Sequence, residues 1–433
     1  MSQAALEDVG RVQPFWAALP LADRARYLRR CAQVILDSLD PLADLIAGET
    51  GLPRAEVLST QLLTSVDALH RTARNGPDAL ADRRVGLPLL TRPKRAYLVC
   101  EPLGVIGVRG AAAEPWTLPL QEVAIALMCG NGVLLDSPPL GERIRWVFER
   151  AGVPEGVVCE VAPGALDEIG VRRVLGPPSG GKGPMLVLAD APRGHTVSGA
   201  LWGGFATGGR SPSGVARVYV VREAAEPFVE RLVARAETLG SGEVAPPEDP
   251  GELQRMVDEA VGQGAELRCG GADGAGFPPA VLTGVTDEMR VAREPPRGPV
   301  LAVTVVEDEE AGIAAASSAP WAVSASVWTC DRARGTRIAR LLPAERVWVN
   351  DHMHWGSGRL RSRAGFHECV QVRLVGWEPS HTGDAWWFPY DEHLARALEA
   401  ASRIVYGRDD DKPAALRRGL GPLLRVGTRM LRR

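Results

Sequence analysis

The sequence predicts an α/β chain of two lobes, preceded by helices and followed by a helical tail. Three observations carry this. From about residue 95, short apolar runs at 105–108, 133–135, 185–188 and 218–221 alternate with helical patterns and glycine turns, the signature of parallel strands joined by crossover helices. The same grammar returns further on, with strands near 300–306, 326–328 and 347–349 and helices around 227–239 and 335–342. The chain is also large and apolar enough for two cores, at 433 residues, 45% hydrophobic and 24% charged.

The first eighty residues read as helical. From Leu21 the apolar positions Leu28, Ala32 and Ile35 recur at three- to four-residue spacing, with Asp23, Arg26 and Arg30 on the other side. Stretches 241–251, rich in Pro and acid, and 270–276, rich in Gly, read as surface loops. Val370, Val372 and Leu374 alternate with polar residues as in a strand. In the tail, Asp391 caps a helix striped by Leu394, Leu398, Ala401 and Val405, and Gly407 ends it. Beyond Asp411 there are seven cationic residues and no acid, interleaved with leucines. Gly419, Gly421, Pro422 and Gly427 are expected to interrupt any helix there. The segment 412–433 reads either as a frayed basic terminus or as a peripheral membrane or partner contact.

With 50 basic and 53 acidic residues, a net charge of −3 offers no basic field, and nucleic acid is not an expected partner. No apolar run is long enough to span a membrane and no signal-peptide pattern opens the chain, so a cytoplasmic location is expected. The seven cysteines stand singly without a CxxC pair, as reduced, mostly buried thiols. Asp351, His352 and His354, with His367, Glu368 and Cys369, read as loop or interface residues rather than a metal cluster, and no metal site is expected. Trp386, Trp387, Phe388 and Tyr390 form an aromatic cluster suited to anchoring the tail.

In order along the chain, GVIGV at 104–108, ALMCGNGVLL at 126–135, GVPEGVV at 152–158, GGKGPMLVLADA at 180–191, ARVYV at 216–220, ASVWT at 325–329 and VWVND at 347–351 resemble the aldehyde dehydrogenase superfamily over about 20–377. The resemblance implies a Rossmann-like nucleotide-binding lobe, an α/β catalytic-type lobe and small oligomerisation strands, near 94–100 and 370–375, with the helical C-terminal extension outside it. The expected divisions are 1–183 for the helices and a truncated Rossmann-like lobe, 184–351 for the catalytic-type lobe, 352–378 for a return segment and 379–433 for the extension.

The family reaction oxidises an aldehyde with NAD or NADP, and needs a thiolate nucleophile, a carboxylate base and donors for the oxyanion. The resemblance places each need on this chain. The nucleophile position, five residues before Arg217, falls on Pro212, with no cysteine within thirty residues. Ser211 and Ser213 flank it, but a serine needs a base and the sequence offers none, so they read as loop hydroxyls. The glutamate position falls on Pro178, and the oxyanion asparagine on Ala113 or, after a shift of four, on Thr117. The lysine that would hold the adenosine ribose is Asp136, and the Glu-x-Phe-Gly-Pro segment whose glutamate would hold the nicotinamide ribose becomes Pro295-Pro296-Arg297-Gly298-Pro299. The strand, the phosphate turn and the following helix are collapsed into 165–177. The expectation is a scaffold with an emptied site. It would bind no cofactor and act as a homo-oligomer or with an active relative. The alternative is an oxidoreductase or hydrolase with a displaced residue such as Cys129, Ser211 or Ser213.

Overall fold

The structure, a computed structural model, describes residues 2–88, 94–110, 114–177, 183–239, 243–274, 276–318, 322–352, 363–379, 387–388 and 390–431. Pro178, Ala113, His354 and Trp386 lie outside the described residues.

The N-terminal helices are α1 (Ser2–Ala17), α2 (Leu21–Asp37), α3 (Leu39–Thr50), α4 (Arg54–Glu56) and α5 (Leu63–Leu80), with a π-helical turn, Val57–Leu62, between the last two. The periodicity is realised in α2, which buries Leu28, Cys31, Ala32 and Ile35. Strands β1 (Arg83–Val85) and β2 (Arg95–Pro102) follow.

Next come β3 (Val105–Arg109), β4 (Gly132–Asp136), β5 (Val158–Glu160) and β6 (Val174–Leu175), a parallel sheet in the order β5-β4-β3-β6. Helices α6 (Thr117–Met128) and α7 (Gly141–Arg150) make the first two crossovers. Between β5 and β6 runs a single 3₁₀ turn, Ala165–Asp167, where a crossover helix would stand. Its Ala165 and Leu166, with Ile169, pack on Val9 and Leu134. The loop lies close on the sheet: a Cβ on Gly107 would meet Leu166 at 3.0 Å.

The larger sheet has β7 (Gly183–Val187), β8 (Val215–Val221), β9 (Glu266–Cys269), β10 (Ala280–Thr283), β11 (Val300–Val306), β12 (Ala322–Trp328) and β13 (Ala344–Val349). Its order is β13-β12-β7-β8-β11-β10-β9, parallel except for β9. Helices α8 (Arg193–Phe205), α9 (Arg222–Ala236), α10 (Pro250–Gly262), α11 (Arg290–Arg293), α12 (Glu309–Ser317) and α13 (Arg332–Ala339) connect the strands. Strands β8 and β12 are buried throughout, as continuous apolar runs in covered parallel sheets are. Phe205, Phe228 and Leu232 cover one face with Trp328, and Ile338 packs with Leu186 and Tyr219 in a separate core. The approach of α8 requires Gly199, where a Cβ would fall 2.1 Å from the Trp328 ring.

Element boundaries differ from the sequence expectation in places. Helix α9 starts at Arg222, directly off β8, and not near 227. Helix α13 starts at Arg332 because the Asp331 side chain accepts the Ala333 and Arg334 N–H groups. The Pro- and acid-rich stretch is partly a helix start, since Asp249 caps α10 through Glu252 N and Pro250 fills its first turn. Short α14 (Arg363–His367) leads to β14 (Val370–Trp377).

The chain forms two compact units, 1–80 with 102–371, and 81–101 with 372–433. In the second, the strands stand in the order β1-β2-β14, with Arg373 paired to Glu101 at 2.7 Å. Only Val370 of β14 is buried. Two further helices follow, α15 (Glu392–Tyr406) and α16 (Lys412–Leu431). Asp391 caps α15 by accepting Leu394 N at 2.8 Å, and Gly407 ends it, as expected. The buried stripe of α15 is Leu394, Ala397 and Ala400 instead of the expected one, with Leu398 partly covered. The expected break beyond 412 is also corrected: α16 is continuous through Gly419, Gly421, Pro422 and Gly427. Packing on α15 outweighs the weak propensity of these residues, and Gly419 is where the helices meet, since a Cβ there would lie 2.1 Å from that of Ala400.

Candidate active site

Between α8 and β8 the chain turns through Thr207, Gly208 and Gly209, all at positive φ (55°, 63° and 64°). A β-branched residue there is strained, at a cost of about 1–3 kcal/mol, and persists only where its surroundings hold it. Here Thr207 donates its N–H to the Glu56 carboxylate. Arg210 donates from Nε to the Thr207 carbonyl at 3.0 Å and from Nη2 to that of Thr50 at 3.0 Å. Burial raises the Glu56 carboxyl and lowers the Arg210 guanidinium from their ordinary values.

The next turn carries Ser211, Pro212 and Ser213, closed by Gly214 N on the Ser211 carbonyl at 2.9 Å. Pro212 is half-buried between two buried serines. Ser211 Oγ donates to Glu114 Oε1 at 2.7 Å. Ser213 Oγ accepts from Arg346 Nη2 at 2.8 Å, and His352 Nε2 donates to the Ser213 carbonyl at 2.8 Å. All five side chains are buried. Burial holds the Glu114 carboxyl above the usual carboxylate range, while the Ser211 hydroxyl and the Arg346 charge pull it back. Burial, joined by Arg346, pushes the His352 imidazole down to about 4, against the Ser213 hydrogen bond. The serines flanking Pro212 thus belong to a buried network of a carboxyl, a guanidinium and a neutral imidazole.

The structure thus gives Ser211 a buried carboxyl partner that the sequence did not offer. Glu114 lies 97 residues earlier, directly before Pro115 and Trp116 and after three alanines. A single acid in so apolar a run is the signal the sequence held. The cysteines belong to other elements. Cys129, named as a displaced nucleophile, is buried at the end of α6 with its thiol donating to the Phe366 carbonyl at 3.4 Å. Thr117 does not offer its hydroxyl to the serine turn. It opens α6 and donates to the Gln61 and Thr60 carbonyls at 2.8 and 3.0 Å, while its N–H goes to Gln61 Oε1 at 3.3 Å. The π-helical turn thus engages both groups.

At the carboxyl end of the smaller sheet, where doubly wound folds bind nucleotides, Asp136 is buried and Oδ2 accepts the Gly164 N–H at 3.0 Å. Arg109 lies 4.0 Å from it and pairs with Asp167 at 2.6 Å. Pro295 and Arg297 line an open cleft with Glu248, Glu252 and Glu294, and Arg297 pairs with Glu248 at 3.4 Å.

Scaffold asparagines act inside the fold. Asn131 accepts from Gly104 N at 3.1 Å and donates to the Cys369 carbonyl at 2.8 Å. Asn350, at φ 56°, clasps both backbone groups of Thr329. Among the described residues no three His, Cys, Asp or Glu side chains gather as a metal site.

The chain is 29% identical over 431 residues to a betaine aldehyde dehydrogenase of Cereibacter sphaeroides, covering 86% of this chain and 88% of that protein. It is 30% identical over 436 residues to betaine aldehyde dehydrogenase 1 of Rhizobium meliloti, with the same coverage. In fold it is similar to the NAD+ complex of an aldehyde dehydrogenase from Bacillus cereus, with a TM-score of 0.80 at 24% identity over 88% of this chain and 89% of that one. An NAD-dependent benzaldehyde dehydrogenase from Corynebacterium glutamicum gives 0.78 at 24% identity, over 87% and 89%. Residues 2–174 and 178–368 match the aldehyde dehydrogenase family, and to that family the chain belongs.

Proposed function

We propose that this member of the family does not oxidise aldehydes with NAD or NADP, and acts instead through its surface, by assembling with copies of itself or with an active relative. The observation that carries this is the buried network around Pro212. The nucleophile position has no sulfur, and the hydroxyls beside it are engaged by Glu114 and Arg346. Thr117, at one of the two oxyanion positions, gives both donors to the Val57–Leu62 turn.

The nucleotide end agrees. A site for a pyrophosphate offers free N–H groups or cations. Here a buried carboxylate engages the Gly164 N–H, and Arg109 is engaged by Asp167. Arg297 faces a rim of carboxylates, paired with Glu248. These residues do not fit NAD or NADP. In the second unit, one surface supports assembly: β14, with Val372, Leu374 and Trp377 exposed. An apolar strand at a sheet edge is a template for another chain.

Calorimetric titration of folded protein with NAD and NADP tests the reading, together with aldehyde oxidation assays and light scattering. No nucleotide binding, no NADH or NADPH formed, and an assembled particle are expected. Micromolar binding with turnover overturns it.

One observation favours a second reading, in which a displaced residue is reactive: Ser211 Oγ stands 2.7 Å from Glu114 Oε1. As the serine oxygen attacks the acyl carbon of an ester, the carboxylate would take its proton and return it to the departing alkoxide. Water would then release the acid and restore the hydroxyl. Hydrolysis of p-nitrophenyl acetate that Ser211→Ala abolishes and Cys129→Ala leaves intact would establish it. Equal rates in wild type and Ser211→Ala would dismiss it.

A further inference from the structure

The second unit is under a fifth of the chain, yet it holds twelve of the twenty large apolar side chains that stand exposed among the described residues. On α16 these are Leu416, Leu420 and Leu424, 49%, 53% and 62% exposed. Spaced by four, they lie along one side of the helix. Ala415, Gly419 and Val426 occupy another side, with Gly419 against Ala400 of α15 and Val426 in the hairpin core. The helix therefore carries two apolar sides, one spent inside the hairpin and one facing outward.

Charge identifies what the outward side fits. Residues 412–433 contain one lysine, six arginines and no acid, in a chain whose net charge is −3. Arg417 and Arg418 follow directly on Leu416, and Arg425 on Leu424. Exposed aromatic rings stand nearby in sequence, Trp387, Phe388 and Tyr390 before the hairpin and Tyr406 at its turn. Leucines on one side of the helix with Arg417 at its border, and Arg418 and Arg425 on the polar side, the latter also 3.0 Å from His393 Nε2, are the composition that lies at a lipid headgroup boundary. No helix among the described residues is long and apolar enough to cross a membrane.

We infer that α16 docks the protein on an anionic lipid surface, with Leu416, Leu420 and Leu424 entering the headgroup boundary and Arg417, Arg418 and Arg425 meeting lipid phosphates. This rests on the reading that the chain acts through its surface. A basic residue near such a surface is worth about a fivefold gain in binding, so three of them give about a hundredfold.

The test is cosedimentation of the full chain with vesicles of phosphatidylcholine alone or with one quarter phosphatidylglycerol, in 0.05 and 0.5 M NaCl. Binding at least tenfold stronger to the anionic vesicles, weakened by salt, is expected. Leu416→Ser/Leu420→Ser/Leu424→Ser and Arg417→Gln/Arg418→Gln/Arg425→Gln should each abolish it. These residues are exposed, and an unchanged melting temperature will show that the variants fold. Protein left in the supernatant with anionic vesicles overturns the inference, as does binding that either folded variant retains. A leucine variant that changes particle mass in light scattering, with no vesicle binding by wild type, assigns the face to a protein partner and also overturns it. That outcome leaves surface action standing, whereas aldehyde oxidation would remove it.

Discussion

Acid should weaken this protein through His352. Its imidazole is buried, donates Nε2–H to the Ser213 carbonyl and has Arg346 nearby, so a second proton would place a buried cation near a guanidinium. The ordinary value of 6.5 and the buried value of about 4 differ by an amount worth about 3 kcal/mol. Because the folded value is the lower one, the unfolded chain takes the proton first as pH falls. The contribution is complete above about 6.5 and is lost progressively down to about 4. Glu114 works the other way. Its carboxyl is raised by burial, so its contribution is present at low pH and lost as pH rises through the raised value. The two slopes oppose, and a comparison of variants separates them. His352→Gln keeps an amide donor for the Ser213 carbonyl and cannot titrate. Urea midpoints followed by tryptophan fluorescence from pH 8 to 4 should show wild type losing about 3 kcal/mol relative to His352→Gln. Parallel curves for the two proteins would refute the reasoning.

Ser211→Ala, which leaves the Glu114 carboxyl buried without its hydroxyl, should cost about 1.5–3 kcal/mol. Ser211→Ala/Glu114→Gln should recover part of that, read as a coupling energy in a double-mutant cycle of urea midpoints. On the proposed reading, Pro212→Cys supplies a thiol without a base or a nucleotide site. It should form no NADH from betaine aldehyde or benzaldehyde, and turnover would show the rest of the site to be intact. Gly419→Leu overpacks the contact with Ala400 and should loosen the α15–α16 hairpin by about 1–3 kcal/mol. Faster proteolysis within 391–431 would report this, against an unchanged body.

Some structural roles were visible from local pattern. Asp136, Pro212 and the short span between β5 and β6 are plain in the sequence. What Asp136 does is not, because Gly164 and Arg109 reach it only when three strand ends are laid side by side. The same holds for Ser211. It is a turn hydroxyl whose carboxyl partner is 97 residues away, and no periodicity links them. In α16 the local signal pointed the wrong way. Three glycines and a proline argue against a helix, and a neighbouring helix in contact at Gly419 provides the packing that propensity does not.

The sequence by itself determined the kind and order of the elements, since side-chain period and capping act within a few residues. It also determined that no cysteine lies within thirty residues of Pro212, which is a matter of residue identity. Only the tertiary structure decided which buried charges are satisfied, by whom, and which apolar sides are left over. Burial makes an unpaired polar group costly, and burial is a property of the assembled chain. Glu114, Arg346 and His352 acquired their roles, and Leu416, Leu420 and Leu424 their exposure, when elements far apart in sequence packed together.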